Sequence, residues 1–175
     1  MARRSLRRHV TAAALQRAAA GIRLLVLDVD GVLTDGRLYF DAGGEQLKVF
    51  HVRDGHGIRA LGRQGVRLAI ISGRRSRAVQ QRARELGIAH VLQGIDDKLA
   101  ALERLRARLR LPLAAVACVG DDTPDVALMQ AVGLAFAVAD AHPDALAAAD
   151  VVTRAPGGQG AVREVCDRLL AARAR

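Results

Sequence analysis

The sequence predicts an α/β fold: a Rossmann-like doubly wound parallel sheet with helices on both faces and a small β-hairpin insertion after the first strand. Three observations lead there. Short aliphatic runs alternate with amphipathic helical patterns, as parallel strands covered on both faces require. The core material is aliphatic, since 51% of the residues are hydrophobic but only one Tyr, three Phe and no Trp are present. The 175 residues carry no internal repeat and no low-complexity linker, and they suffice for one domain with a sizeable core.

The first 20 residues, MARRSLRRHVTAAALQRAAA, are basic and free of acids. They read as a basic N-terminal extension, residues 1–21, in the form of an amphipathic or frayed helix, ahead of a single domain over 22–175. Their apolar stretch is too short for a secretory signal, and nothing reaches the length of a membrane span. The first strand is expected over 24–28 (LLVLD). Residues 37–52 then break the alternation and read as a hairpin around Ala42-Gly43-Gly44-Glu45. Further strands are expected over 66–71, 115–119, 134–138 and 150–153. Helices are expected over 56–64, 75–86, 98–110, 124–131, 143–148 and 160–172. The 98–110 segment places Leu99, Leu102, Leu105 and Leu109 on one stripe with arginines opposite. Pro124 fits the first turn of its helix.

The formal charge is +9, which favours an anionic partner. The arginines are scattered and aromatics to stack on bases are scarce, which speaks against nucleic acid. Cys118 and Cys166 lack metal-ligand spacing and fit a reducing, cytoplasmic setting. Of the 27 cationic residues only Lys48 and Lys98 are lysines. Lys48, in the hairpin, is expected on a solvated strand face. Lys98 opens a helix, against the macrodipole, as a place that needs a compact point charge does.

In a parallel sheet the residues at the carboxyl ends of the strands share one rim, where ligands bind. Here that rim receives Asp28 and Asp30, Ser72, Lys98, and Asp121 with Asp122 and Asp125. Turn and capping roles account for some of these residues singly, but not for the set. Clustered carboxylates without His or thiolate select a hard ion, Mg²⁺ above all. A lysine and a hydroxyl beside it suit a phosphate, which one carboxylate can attack while another moves the proton.

The ordered set DVDGV, IISG, Lys98 and GDDTPD resembles the haloacid dehalogenase superfamily of phosphotransferases. The resemblance implies that Asp28 is the nucleophile and forms an aspartyl-phosphate, and that Asp30 is general acid and then base. It implies that Ser72 and Lys98 hold the phosphoryl group. Mg²⁺ would be bound by Asp28, the Asp30 carbonyl and Asp121, with Asp122 and Asp125 in support. Longer strings (LDVDGVLTDG, FHVRDGHGIR, ISGRRS, VADAHPD, GGQGAVREVCD) are similar to the 3-deoxy-D-manno-octulosonate 8-phosphate phosphatase family, over residues 22–172. That likeness implies a homotetramer without a cap domain, in which hairpins pack together and neighbours close each site. It implies a sugar acid phosphate as substrate, in lipopolysaccharide synthesis, contacted by His51, Val52, Arg53, Asp54, Gly55, Arg59, Arg74, Arg82 and Lys98. The chain departs from the family pattern at His51, where Asn is common, and at Gln159, where the glycine-rich segment commonly holds Arg. Alternatives of the same fold are a phosphatase of a nine-carbon sialic-type acid phosphate and a non-catalytic tetramerisation module.

Overall fold

The computed structural model describes residues 11–43 and 46–174. Six parallel strands form one sheet in the order β5-β4-β1-β6-β7-β8: β1 (Leu24–Leu27), β4 (Arg67–Ser72), β5 (His90–Gln93), β6 (Val116–Gly120), β7 (Leu134–Ala137) and β8 (Val151–Val152). Strand β1 is central, with Leu24 beside Arg67 on one side and Val116 on the other. All four residues of β1 and all five of β6 are buried, so their continuous apolar runs are those of strands covered on both faces.

The helices form two groups. On one face α7 (Ala161–Arg173) packs against both α1 (Ala12–Gly21) and α2 (Val52–Arg63), with α3 (Arg77–Leu86) beside α2. On the other face α5 (Thr123–Ala131) packs against α4 (Lys98–Leu109) and α6 (Pro143–Ala148). The fold class is therefore the expected one, and its core is aliphatic, with Phe136 the one aromatic among the largest fully buried side chains. Of the stripe expected along α4, Leu102 and Leu105 are buried and Leu109 packs against the core, while Leu99 is only half-buried.

Three differences from the expected elements have local causes. The edge strand β5 was not expected; its four residues, His90–Gln93, are all half-buried and polar at both ends, so no apolar run marks them. Helix α2 starts at Val52, four residues before the periodic pattern, because the side chain of His51 caps it: His51 Nδ1 accepts from Arg53 N–H at 3.3 Å. The hairpin pairs only β2 (Tyr39–Phe40) with β3 (Gln46–Leu47). Its turn falls partly outside the described residues, at 44–45. Phe50 has left the ribbon and packs against the core, with the Arg82 guanidinium 6.0 Å from its ring centre.

Candidate active site

Three neighbouring strands deliver the candidate residues to one rim. Asp28 follows β1, Ser72 ends β4, and Asp121 follows β6. The strand order reverses its direction of growth at β1, and the crevice outside such a reversal is where open α/β sheets bind ligands. A cavity of about 530 Å³ lies there, lined by Asp28, Asp30, Ser72, Arg74, Lys98 and Asp121 among others.

Lys98 is the hub. It is the first residue of α4, behind the N-cap Asp97, and is 6% exposed. Its Nζ lies 3.0 Å from Asp28 Oδ1 and 2.7 Å from Asp125 Oδ1. Burial alone would push the ammonium down, but the two carboxylates outweigh it and raise its pKa. Asp125 has two duties at once. Its Oδ1 takes Lys98, while its Oδ2 accepts from the N–H groups of Asp121 at 3.2 Å and Asp122 at 3.5 Å. With Asp122 as N-cap it completes a capping box on α5. Thus Asp122 and Asp125 do cap the helix, and Asp125 in addition anchors the lysine.

The acids repel one another. Oxygens of Asp28, Asp121 and Asp125 all lie within 4.8 Å of each other. Burial and then the charge of Asp125 raise Asp28 to about 6, against the pull of Lys98. Burial and then Asp28 and Asp125 raise Asp121 to about 8. Asp121 Oδ1 is buried and accepts no hydrogen bond. A buried carboxylate oxygen without a donor, beside a second carboxylate, fits a hard divalent cation bound through oxygen. Among the described residues, Asp28, Asp121 and Asp125 are the carboxylates whose oxygens lie close enough together for such an ion.

Two glycines make this crowding possible. Gly31 has φ +85°, and a Cβ there would come within 2.0 Å of Asp121 Oδ2. A Cβ at Gly157 would meet the carbonyl oxygen of Gly31 at 1.7 Å. Gly158 N–H donates to Val32 O at 3.0 Å, and Gly157 N–H donates to Asp140 Oδ1 at 2.9 Å. The glycine-rich segment before α7 therefore braces the chain's own Asp28–Asp35 loop from behind.

Asp30 lies within reach of Arg74, Nε to Oδ2 being 3.9 Å. On its other side stands Lys48, whose Nζ bonds Asp30 Oδ1. The side chain of Lys48 is 2% exposed, so the expectation of a solvated strand face is corrected. The clue available in the sequence was only its rarity, as one of two lysines in an arginine-rich chain. Ser72 is buried, and its Oγ accepts from Arg74 N–H at 3.4 Å.

The remaining candidates sit elsewhere. His51, Val52, Arg53, Asp54 and Gly55 form the cap and first turn of α2. Asp54 is buried against α7, where Oδ1 accepts from Arg163 N–H at 2.7 Å, and burial raises its pKa. Gly55 leaves room for the Arg82 guanidinium, which a Cβ would meet at 2.4 Å. Arg82 pairs with Glu85 at 3.1 Å, and Arg59 donates to the Glu85 carbonyl. Within one chain the structure therefore brings Asp28, Asp30, Ser72, Arg74, Lys98, Asp121, Asp122 and Asp125 to one cavity. It places His51–Gly55, Arg59 and Arg82 outside it.

Comparison with known proteins agrees with this arrangement. The sequence pattern of the family described as haloacid dehalogenase-like hydrolase matches residues 89–164. The 3-deoxy-D-manno-octulosonate 8-phosphate phosphatase of Yersinia pestis is 53% identical over 154 residues, 88% of this chain and 82% of that protein. The crystal structure of the Y. pestis enzyme superposes with a TM-score of 0.90, over 91% of this chain and 86% of that one. The Moraxella catarrhalis phosphatase of the same name, crystallised with magnesium, phosphate and KDO, is 41% identical. It superposes with a TM-score of 0.92 over 94% of each chain. A cobalt-bound form from Haemophilus influenzae is 40% identical, with a TM-score of 0.87 over 90% of this chain and 92% of that one.

Proposed function

This chain belongs to the 3-deoxy-D-manno-octulosonate 8-phosphate phosphatase family of haloacid dehalogenase-like hydrolases, and on that footing we propose that it removes phosphate from 3-deoxy-D-manno-octulosonate 8-phosphate. It is a phosphoric monoester hydrolase that uses Mg²⁺. The observation that carries the reading is the cluster of Asp28, Asp121 and Asp125 around Lys98, with one buried carboxylate oxygen left unsatisfied.

In the proposed reaction Asp28 attacks phosphorus, so that an O–P bond forms to Asp28 as the bond to the sugar oxygen breaks. Asp30 gives its proton to that departing oxygen. Water then attacks the aspartyl-phosphate, Asp30 takes the water proton, and the bond to Asp28 breaks to release inorganic phosphate. Ser72 and Lys98 are placed to hold the phosphoryl oxygens. Arg74, exposed at the rim beside Asp30, is placed for the sugar acid's carboxylate. Asp28, Asp121 and the Asp30 carbonyl would hold Mg²⁺, which would supply the positive charge that lets these acids stay ionised beside a phosphate.

His51–Gly55, Arg59 and Arg82 would reach a substrate only if they act on a neighbouring subunit's site. An assembly through the hairpins supports that reading. Leu38, Tyr39, Phe40, Leu47 and Val49 are all exposed, Phe40 and Leu47 at 60% each, a patch that a lone chain leaves in water. We propose a homotetramer, a single phosphatase domain over residues 22–175 onto which α1 packs, and a place in lipopolysaccharide synthesis. Two free, buried cysteines, Cys118 and Cys166, support a cytoplasmic setting. Among the described residues no helix is long and apolar enough to cross a membrane.

A phosphate-release screen over sugar phosphates, with and without Mg²⁺, tests the proposal. The eight-carbon acid phosphate should be turned over best and EDTA should abolish release. Preference for the nine-carbon acid phosphate, or no turnover of either, would overturn it.

A further inference from the structure

The proposed proton donor, Asp30, is gripped by a residue outside the four motifs. Lys48 stands just after β3, and its Nζ donates to Asp30 Oδ1 across 18 residues of chain. Its side chain is 2% exposed although the residue as a whole is half-buried, whereas its neighbours Leu47 and Val49 are exposed residues. An ammonium has gone inside while the apolar residues flanking it face outward. That inverts the usual ranking, and a cation is held so only where a charged partner repays its desolvation. Elsewhere the chain draws its cations almost wholly from arginine, with 25 of the 27. The compact ammonium here, with three donors and no acceptor, suits a single oxygen in a confined space.

The geometry assigns the two oxygens of Asp30 different work. Oδ1 faces Lys48, which is not among the residues lining the cavity. Oδ2 faces Arg74, which is, at 3.9 Å. An ammonium can only donate, so Oδ1 is obliged to accept. A proton carried by Asp30 must then sit on Oδ2, the oxygen toward the cavity. We propose that Lys48 is a positioning residue for proton transfer: by holding Oδ1 it fixes the plane of the Asp30 carboxyl and confines the mobile proton to Oδ2. The proton leaves Oδ2 for the bridging oxygen as the bond between phosphorus and the sugar oxygen breaks and the bond from Asp28 forms. In the second step Oδ2 recovers a proton from the attacking water. The inference rests on the reading of Asp30 as the proton donor.

The test compares leaving groups. An alkyl phosphate needs its departing oxygen protonated, whereas p-nitrophenyl phosphate releases a phenolate that leaves without an acid. The ratio of kcat/KM for the sugar acid phosphate to that for p-nitrophenyl phosphate therefore reads the proton delivery. Because kcat/KM ends at loss of the alcohol, the water step does not enter it. Lys48→Met keeps the aliphatic stem and should lower the ratio by about 10-fold or more, a part of the roughly 10²–10⁴-fold that general acid–base catalysis supplies. Lys48→Arg keeps a donor and should restore most of it. Asp30→Asn, measured alongside, should lower the ratio at least as far. If Asp30→Asn leaves the ratio intact, Asp30 is not the donor and both readings fall. If Asp30→Asn lowers the ratio but Lys48→Met depresses both substrates equally, or neither, Lys48 has no part in proton delivery and this proposal alone is overturned.

Discussion

Asp28 bears the covalent step in the proposed reaction, and Asp28→Asn keeps its shape while removing its nucleophilic oxygen. Phosphate release should fall by at least about 10³-fold in a protein that still melts cooperatively. Near-normal turnover in a folded variant would end the covalent mechanism. Asp121 tests the cation. Without the cation, burial and the neighbouring carboxylates push Asp28 up to about 6 and Asp121 up to about 8, both above the ordinary 3.8. A carboxyl whose folded pKa is raised contributes stability that is complete below its unfolded pKa and is lost as pH rises through the folded value. The metal-free protein should thus lose stability between about pH 4 and pH 8. Mg²⁺ binds the ionised pair, so the melting shift on adding Mg²⁺ should be larger at pH 8 than at pH 5. Asp121→Asn should abolish that pH dependence and leave the metal-free protein more stable at pH 8. Equal Mg²⁺ shifts at both pH values would contradict the assignment of the cation to this pair.

Among the elements, those with a strong periodic or apolar signature were legible beforehand, and those shaped by a distant partner were not. Strands β1, β4, β6 and β7 are buried runs and fall within a residue or so of their expected bounds. Strand β5 is a half-buried edge with polar ends, so sequence periodicity passes over it. Lys48 looked like a surface charge because its partner lies 18 residues earlier, and such pairs leave no local trace. The same blindness hid the glycine brace, where the reason for Gly157 is the backbone of Gly31. Replacing Gly157 by Ala forces a Cβ onto that carbonyl. Overpacking of this kind costs about 1–3 kcal/mol, which in a chain of this length lowers Tm by roughly 2–12 °C. Mg²⁺ affinity should weaken with it, because the displaced loop carries the Asp30 carbonyl. Calorimetry and Mg²⁺ titration of Gly157→Ala check both; an unchanged Tm would show that the segment is not packed as described.

At the level of the whole molecule, the exposed hairpin joins assembly to chemistry. Phe40→Asp and Leu47→Asp change side chains that are 60% exposed and do not line the cavity. Light scattering should find the proposed tetramer dissociated in the double variant, with KM raised or kcat lowered on the sugar acid phosphate. A native assembly that survives both charges, or a monomer with full activity at micromolar concentration, would rule out the hairpin interface. Phe50 is no part of that exposed patch, because it packs against the core beneath Arg82.

The contact of Gly157 with Gly31 also sets a clock. The loop that carries Asp28 and Asp30 is made early in synthesis, and its brace is made almost last. At about 5–20 residues per second, the interval between residues 28 and 157 lasts roughly 6–26 s. Within it the chain gains Lys48, then β4 and Lys98, then β6, so β1 acquires its flanking strands and its acids their lysines before the brace at Gly157 exists. The loop that carries Asp28 and Asp30 therefore stays unbraced until the end of synthesis, and full activity should await the segment that precedes the last helix.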